Sequence, residues 1–430
     1  MGRVVGRRSK PKPTASTPPR YAARTATLEV TFGLKVAGVA PLPADFEPAM
    51  NRPPLWLLGG HEVGVIGNRA GKGVILGFSG PNLSRKKVII EDEGTGAPEG
   101  RLFDAALSPD NHTLAAAVAA LGKQLDVNLI DVSNPSETLR IASLKGEFSS
   151  AQLAWLSSTQ IVLAVQSEAP TGGDSLAATN AVPVRGLYLI TAGQPTSIRH
   201  LDGIKCPLSR LAVSPNGAFA VAQGTNSAPP EIVDLHGERC VRFPHGGQIQ
   251  VIGWAPNAIA LLYRTADRKG VFGFDRQTGQ RATIAISSGA AAYASDGTII
   301  ALGSDQLSRQ RAVAEPMSPV TAQIALFDPH QSLITINSLG FATRPDLLAQ
   351  STMVFSQVSN DAVIDIAVPV TMGLRRLIIE YSYPTRAAFV LAHGAVTGPI
   401  AISWSPDGKQ IAIVDGDATH HTLSVITPPK

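Results

Sequence analysis

Long apolar runs are missing from this sequence, and none approaches the roughly 18 residues a membrane-spanning helix needs. Cysteine is almost absent: Cys206 and Cys240 are the only two in 430 residues. Two thiols in so long a chain exclude a disulfide framework and point to a reducing compartment, so the expected location is cytoplasmic. Charge is sparse at 16% of residues, against 44% hydrophobic, a globular balance. The opening Met1-Gly2-Arg3-Val4-Val5-Gly6-Arg7-Arg8 is basic but lacks the apolar segment of a secretory signal.

Acid is missing from the start of the chain. Arg3, Arg7, Arg8, Lys10, Lys12, Arg20 and Arg24 all precede the first carboxylate, Glu29. The net charge of +4 is therefore +7 in this tail and −3 over everything else. With Pro11, Pro13, Pro18 and Pro19 interspersed, residues 1–25 cannot bury enough apolar surface to offset their ordering entropy and are expected to be disordered. Three roles suit such a tail: contact with nucleic acid through its charges, an organelle transit peptide, or an inert solubilising extension.

Glycine and proline are abundant, at 40 and 32, as many short strands joined by turns require. The clearest unit is Ile402-Ser403-Trp404-Ser405-Pro406-Asp407-Gly408-Lys409-Gln410-Ile411-Ala412-Ile413-Val414, an apolar strand, a tight turn and a second apolar strand. Pro406 presets φ at the first corner, and Gly408 supplies the left-handed position that a three-residue hairpin needs. Copies recur, phased on the residue before each turn at Leu58, Leu107, Trp155, Val213, Trp254, Tyr293, Phe355 and Trp404. Ser108-Pro109-Asp110-Asn111, Ser214-Pro215-Asn216-Gly217 and Ser295-Asp296-Gly297 are clear turns; the copies after Leu58, Trp155 and Phe355 show only in register. Each unit supplies two further strands, for example Asp126 to Val132 and Leu139 to Leu144.

Four short strands per roughly 40 to 50 residues is the period of a β-propeller blade. The expected fold is all-β, a propeller of eight four-stranded blades, with seven as the alternative because the unit after Leu58 is weak. The last unit ends on its third strand, so the spare N-terminal strand, Thr27 to Val36, is expected to complete it and close the ring. The division that follows is a tail over 1–25 and one propeller domain over 26–430. Within that domain, 26–36 is the closing strand, 37–54 a linker and 55–430 the blades.

The Ser-Pro-Asp-Gly turn followed by a short apolar strand resembles the repeats of TolB-like and WD40-like propellers over most of residues 55–430. The Gly-His and Trp-Asp dipeptides of WD40 repeats are not regularly present, which favours the TolB-like branch. TolB is periplasmic, whereas no export signal is seen here. The resemblance also extends to the propellers of prolyl oligopeptidases, but no hydrolase domain follows the repeats.

Catalytic motifs are wanting. Gly67-Asn68-Arg69-Ala70-Gly71-Lys72-Gly73 is one residue short of a phosphate loop, ends in Gly and joins two strands. In Gly77-Phe78-Ser79-Gly80-Pro81, Pro81 takes the last glycine of a nucleophile elbow. Asp415-Gly416-Asp417-Ala418-Thr419-His420-His421 reads as a polar hairpin loop rather than a metal site. No catalytic, cofactor-binding or metal residues are assigned, and no cofactor is expected. The two longest spacings come from insertions between the second and third strands of two blades, Gln166 to Val184 and Ser304 to Ala322. Loops on a rigid scaffold are where recognition concentrates. The expected binding face therefore carries Arg69, Lys72, Lys123, Asp174, Arg264, Asp267, Arg268, Arg309, Arg311, Asp417 and His420. The Ser-Pro-Asp-Gly turns fall on the opposite face, where no site is expected. The favoured function is a non-enzymatic scaffold with a protein partner. The alternatives are a lactonase-like hydrolase using the central channel, or a nucleic-acid-associated protein acting through its tail.

Overall fold

The computed structural model describes residues 25–27, 30–32, 36–50, 52–91, 102–120, 123–146, 148–167, 185–193, 197–202, 210–223, 230–243, 247, 249–265, 270–286, 290–304, 319–371, 373–395, 398–416 and 420–428. These form eight sheets, each with an antiparallel set of four blade strands, the blades of a closed propeller. Strands a to d run outward within each blade. Successive a strands touch one another and line the axis. Blade 2 shows the plan: Leu102–Leu107, Thr113–Ala120, Gln124–Asp131 and Thr138–Lys145.

The middle strands are packed on both faces, which is why they read as continuous apolar runs rather than alternating ones. Ile299–Ser304 is buried at every position, and Leu114, Ala115, Ala116 and Ala117 are wholly inaccessible. The apolar side chains separate into eight clusters, one per junction between neighbouring blades. Leu57 and Ile130 belong to the first, between blades 1 and 2, and Trp56 and Val414 to the last, between blades 8 and 1. Eight junctions for eight blades close the ring.

The turns have the geometry their sequence requires. Gly408, Gly217 and Gly297 have φ of 67°, 67° and 85°. Each Ser-Pro serine is buried and satisfies the turn: Ser405 Oγ donates to Asp407 Oδ1 at 2.6 Å and accepts from the backbone N–H of Gln410 at 2.9 Å. Ser214 and Asn216 repeat the arrangement in blade 4.

Two expectations shift. In blade 1 the residue equivalent to Trp404 is Trp56, not Leu58, because Trp56 pairs with Val63 as Trp404 pairs with Ile411. The turn that follows is longer, with Leu58 and Gly59 both at positive φ. The N-terminal region also differs. Val36–Pro41 is the strand that completes blade 8, antiparallel to His421–Ile426. The stretch expected as one strand over 27–36 contributes instead to two short ones. Thr25–Thr27 and Val30–Phe32 pair in parallel with the d strands of blades 6 and 7. The 37–54 stretch also supplies Phe46–Pro48, which pairs with the blade 1 strand Glu62–Arg69.

Small residues explain the displacement. Gly38 faces inward, and a Cβ there would lie 3.0 Å from Leu83 and 3.1 Å from the Asn82 backbone. Closure therefore selects the Gly38 and Ala40 face, which hydrophobic alternation does not flag.

Candidate binding faces

Antiparallel pairing puts the a–b turns at one end of every blade and the b–c loops at the other. The strands bracketing the long insertions, Gln160–Ser167 with Arg185–Thr191 and Ile299–Ser304 with Val320–Phe327, are b and c strands. Both insertions therefore belong to the b–c face. Asp174, Asp267, Arg268, Arg309, Arg311 and Asp417 lie outside the described residues, as does the basic tail through Arg24.

The other predicted residues divide. Arg69 is half-buried on the blade 1 hairpin and donates to Asp45 Oδ2 at 2.5 Å, which holds the Asp45 carboxyl below its usual range. Its partner strand begins directly after the two-residue turn, at Lys72, which is half-buried. This hairpin joins strand to strand, with no helix start to cradle a phosphate. Lys123 is exposed at a φ of 59° in the blade 2 b–c turn, and His420 is exposed in that of blade 8. Arg264 is different. It is still inside its strand, only 6% exposed, and its guanidinium donates to the Ala349 carbonyl at 3.3 Å and Gln250 Oε1 at 3.0 Å. It ties blade 5 to the linker entering blade 7 and is not a free binding group.

That linker adds relief to the same face. Pro345–Leu348 is a short helix with Pro345, Leu347 and Leu348 buried, and Arg344 pairs with Asp346 at 2.8 Å beside it. Blade 7 extends furthest: its b and c strands, Asp361–Val370 and Gly373–Ser382, are 10 residues each and carry the exposed Val370 at their tip.

Sequence reading passed over a charge set at the junction of blades 7 and 8. Asp365 and Arg376 form a buried ion pair at 2.9 Å, and Arg376 also donates to the Gly398 carbonyl. Burial raises the Asp365 carboxyl to about 6, against the attraction of Arg376. Asp415 in blade 8 is likewise pushed up by burial and partly held down by Arg376. Their only signal is a charge within an apolar run, Ala362 to Ala367, which a strand reading absorbs as an ordinary polar position. Among the described residues no three of His, Cys, Asp or Glu converge as a metal site. No described helix is long and apolar enough to cross a membrane.

No family model matches the chain, and no curated protein does. Solved structures do. One is a chain of the mitotic checkpoint complex, at 13% identity and TM-score 0.51, covering 100% of this chain and 99% of that one. Another is Sqt1 from Chaetomium thermophilum bound to the N-terminus of ribosomal protein L10, at 12% identity and TM-score 0.51, covering 89% and 98%. A third is an oligogalacturonate lyase in complex with manganese, at 14% identity and TM-score 0.50, covering 94% and 99%. The likeness is one of fold. It extends over nearly the whole of each partner chain.

Proposed function

We propose that this propeller is a non-enzymatic scaffold that binds a protein partner through its b–c face. The observation that carries the reading is convergence. Both long insertions, the blade 7 hairpin and the linker helix belong to one end of the ring, while the opposite end is built from tight, self-satisfied turns. A rigid ring with variable loops on one face is a recognition platform. Sqt1, similar in fold, was solved with a ribosomal protein segment bound, which supports a peptide-binding role for such a ring here. The lyase shows that a similar ring can be an enzyme, yet no metal-ligand set occurs among the described residues of this one. The Ser-Pro-Asp-Gly turns support a TolB-like reading within this proposal, and the two cysteines suit a reducing compartment.

Affinity capture from the native cell tests it, using the full chain and variants in which residues 168–184 or 305–318 are replaced by short Gly-Ser turns. Loss of one or more partners from a loop variant is expected. Identical partner lists would overturn the reading.

A further inference from the structure

The face of blade 7 that packs on blade 8 carries charges at both ends of an apolar centre. Val363, Ile378 and Leu391 form the centre. At the b–c end, Asp365 has Arg376. At the a–b end stand Asp361 and Glu380, one on each neighbouring strand, diagonal across the Val363–Glu380 pair. This second pair lacks the cation that completes the first.

Glu380 is 5% exposed, and its Oε2 has no hydrogen-bond partner. Burial raises its carboxyl to about 7, and the like charge of Asp361 adds to the shift. Asp361 is itself raised by burial, partly offset by the nearby polar Ser382 and Ser359. Both line an open cleft of about 650 Å³ between the a–b turns of blades 7, 8 and 1. The other charged or titratable groups on its walls are Asp407, Lys409 and His61. Lys409 is already held by Asp407 at 3.2 Å.

A buried carboxylate without a partner is costly unless something supplies the missing donor. We propose that this cleft binds a lysine or arginine side chain presented by a partner protein. An entering ammonium or guanidinium would set a positive charge against Asp361 and Glu380, as Arg376 does for Asp365 at the other end. The cleft opens on the face opposite the long loops, so it is a second site beyond the proposed function, and its failure would leave that reading standing.

The test is calorimetric titration of the full chain with an N-acetylated Gly-Arg-Gly amide and its citrulline counterpart, which keeps the shape and loses the charge. The arginine peptide is expected to bind and the citrulline peptide not to. If the ionised Glu380 is the competent form, affinity should be about tenfold tighter at pH 8 than at pH 6. Glu380→Gln should weaken binding and abolish its pH dependence, and Asp361→Asn should weaken it with thermal unfolding still cooperative. Equal affinity for the two peptides, no binding at millimolar peptide, or a Glu380→Gln variant that binds like the parent would each overturn the proposal.

Discussion

Four tryptophans carry the same hydrogen bond. Trp155, Trp254, Trp404 and Trp56 each donate an indole N–H to a carbonyl on the innermost strand of the preceding blade: Ala106, Ala212, Val354 and Ser403. Gln357 does the same toward Tyr293. These rings pack between blades and pin each inner strand to its neighbour, so they are structural groups. Trp404→Phe keeps the ring and orphans the Val354 carbonyl, which should cost about 1 to 3 kcal/mol in urea unfolding. Gly408→Ala should cost about 1 to 2 kcal/mol from backbone strain alone. Its Cβ would also lie 2.9 Å from Ser356 Oγ and 3.0 Å from the Ser359 nitrogen, so the loss should exceed that at an open turn. The pH dependence has a definite sign. Burial raises Glu380 from 4.5 to about 7 and Asp365 from 3.8 to about 6, so the folded chain holds protons that the unfolded chain has released. Their contribution to stability is greatest below about pH 4 and is lost as pH rises through 6 to 7. Glu380→Gln should therefore raise the Tm at pH 8 and leave it nearly unchanged at pH 4, measured side by side by calorimetry.

At the scale of strands and turns, the repeated element was plain in the sequence and its irregular copies were not. Phe219–Gln223 lies within one residue of its apolar run, Ala218 to Ala222, at each end, and Ser-Pro-Asp-Gly announces its own backbone angles. Trp56 was hidden because Leu58 and two glycines lengthen its turn, and the closing strand was hidden because it packs through Gly38 and Ala40. Glu380 was hidden because nothing local distinguishes a carboxylate facing a neighbouring blade from one facing water. The outer edges of blades 1 to 7 follow a rule that only the sheet order makes visible; blade 8 departs from it, since its outer strand Val36–Pro41 has neither a Lys or Arg nor a described strand beside it. The d strands of blades 1 to 5 each contain Lys or Arg, as in Arg85–Glu91 and Arg239–Arg242, and charge protects an open edge. Those of blades 6 and 7, Leu333–Thr343 and Ala388–Ala395, contain neither, and these are the two that Thr25–Thr27 and Val30–Phe32 cover. A chain beginning at Val36 should keep blade 8 closed yet expose two uncharged edges. Light scattering should show concentration-dependent self-association of that chain; a monodisperse monomer would mean the covering strands are dispensable. Gly38→Val, which disturbs closure itself, should instead lower the Tm without exposing those edges.

The whole molecule is a ring of eight cores, each shared by two blades, so no blade is stable alone and closure at the junction of blades 8 and 1 secures all of them. Phe46 and Trp56 from blade 1 meet Ala401, Val414 and Val425 from blade 8 there, with Ala40 of the closing strand. A ring held this way presents two unlike faces. Among the described residues, one is made of tight turns around an acidic cleft; the other carries the blade 7 hairpin, the linker helix and the strand ends that flank both long insertions. In the proposed role a protein partner is bound on the second. Hydrogen–deuterium exchange of the captured complex tests it most directly. Protection is expected at the b–c ends, in the segments around Arg69 to Lys72, Ser304 to Val320 and Val370 to Gly373. Protection confined to the a–b turns, with those segments exchanging as in the free protein, would contradict it.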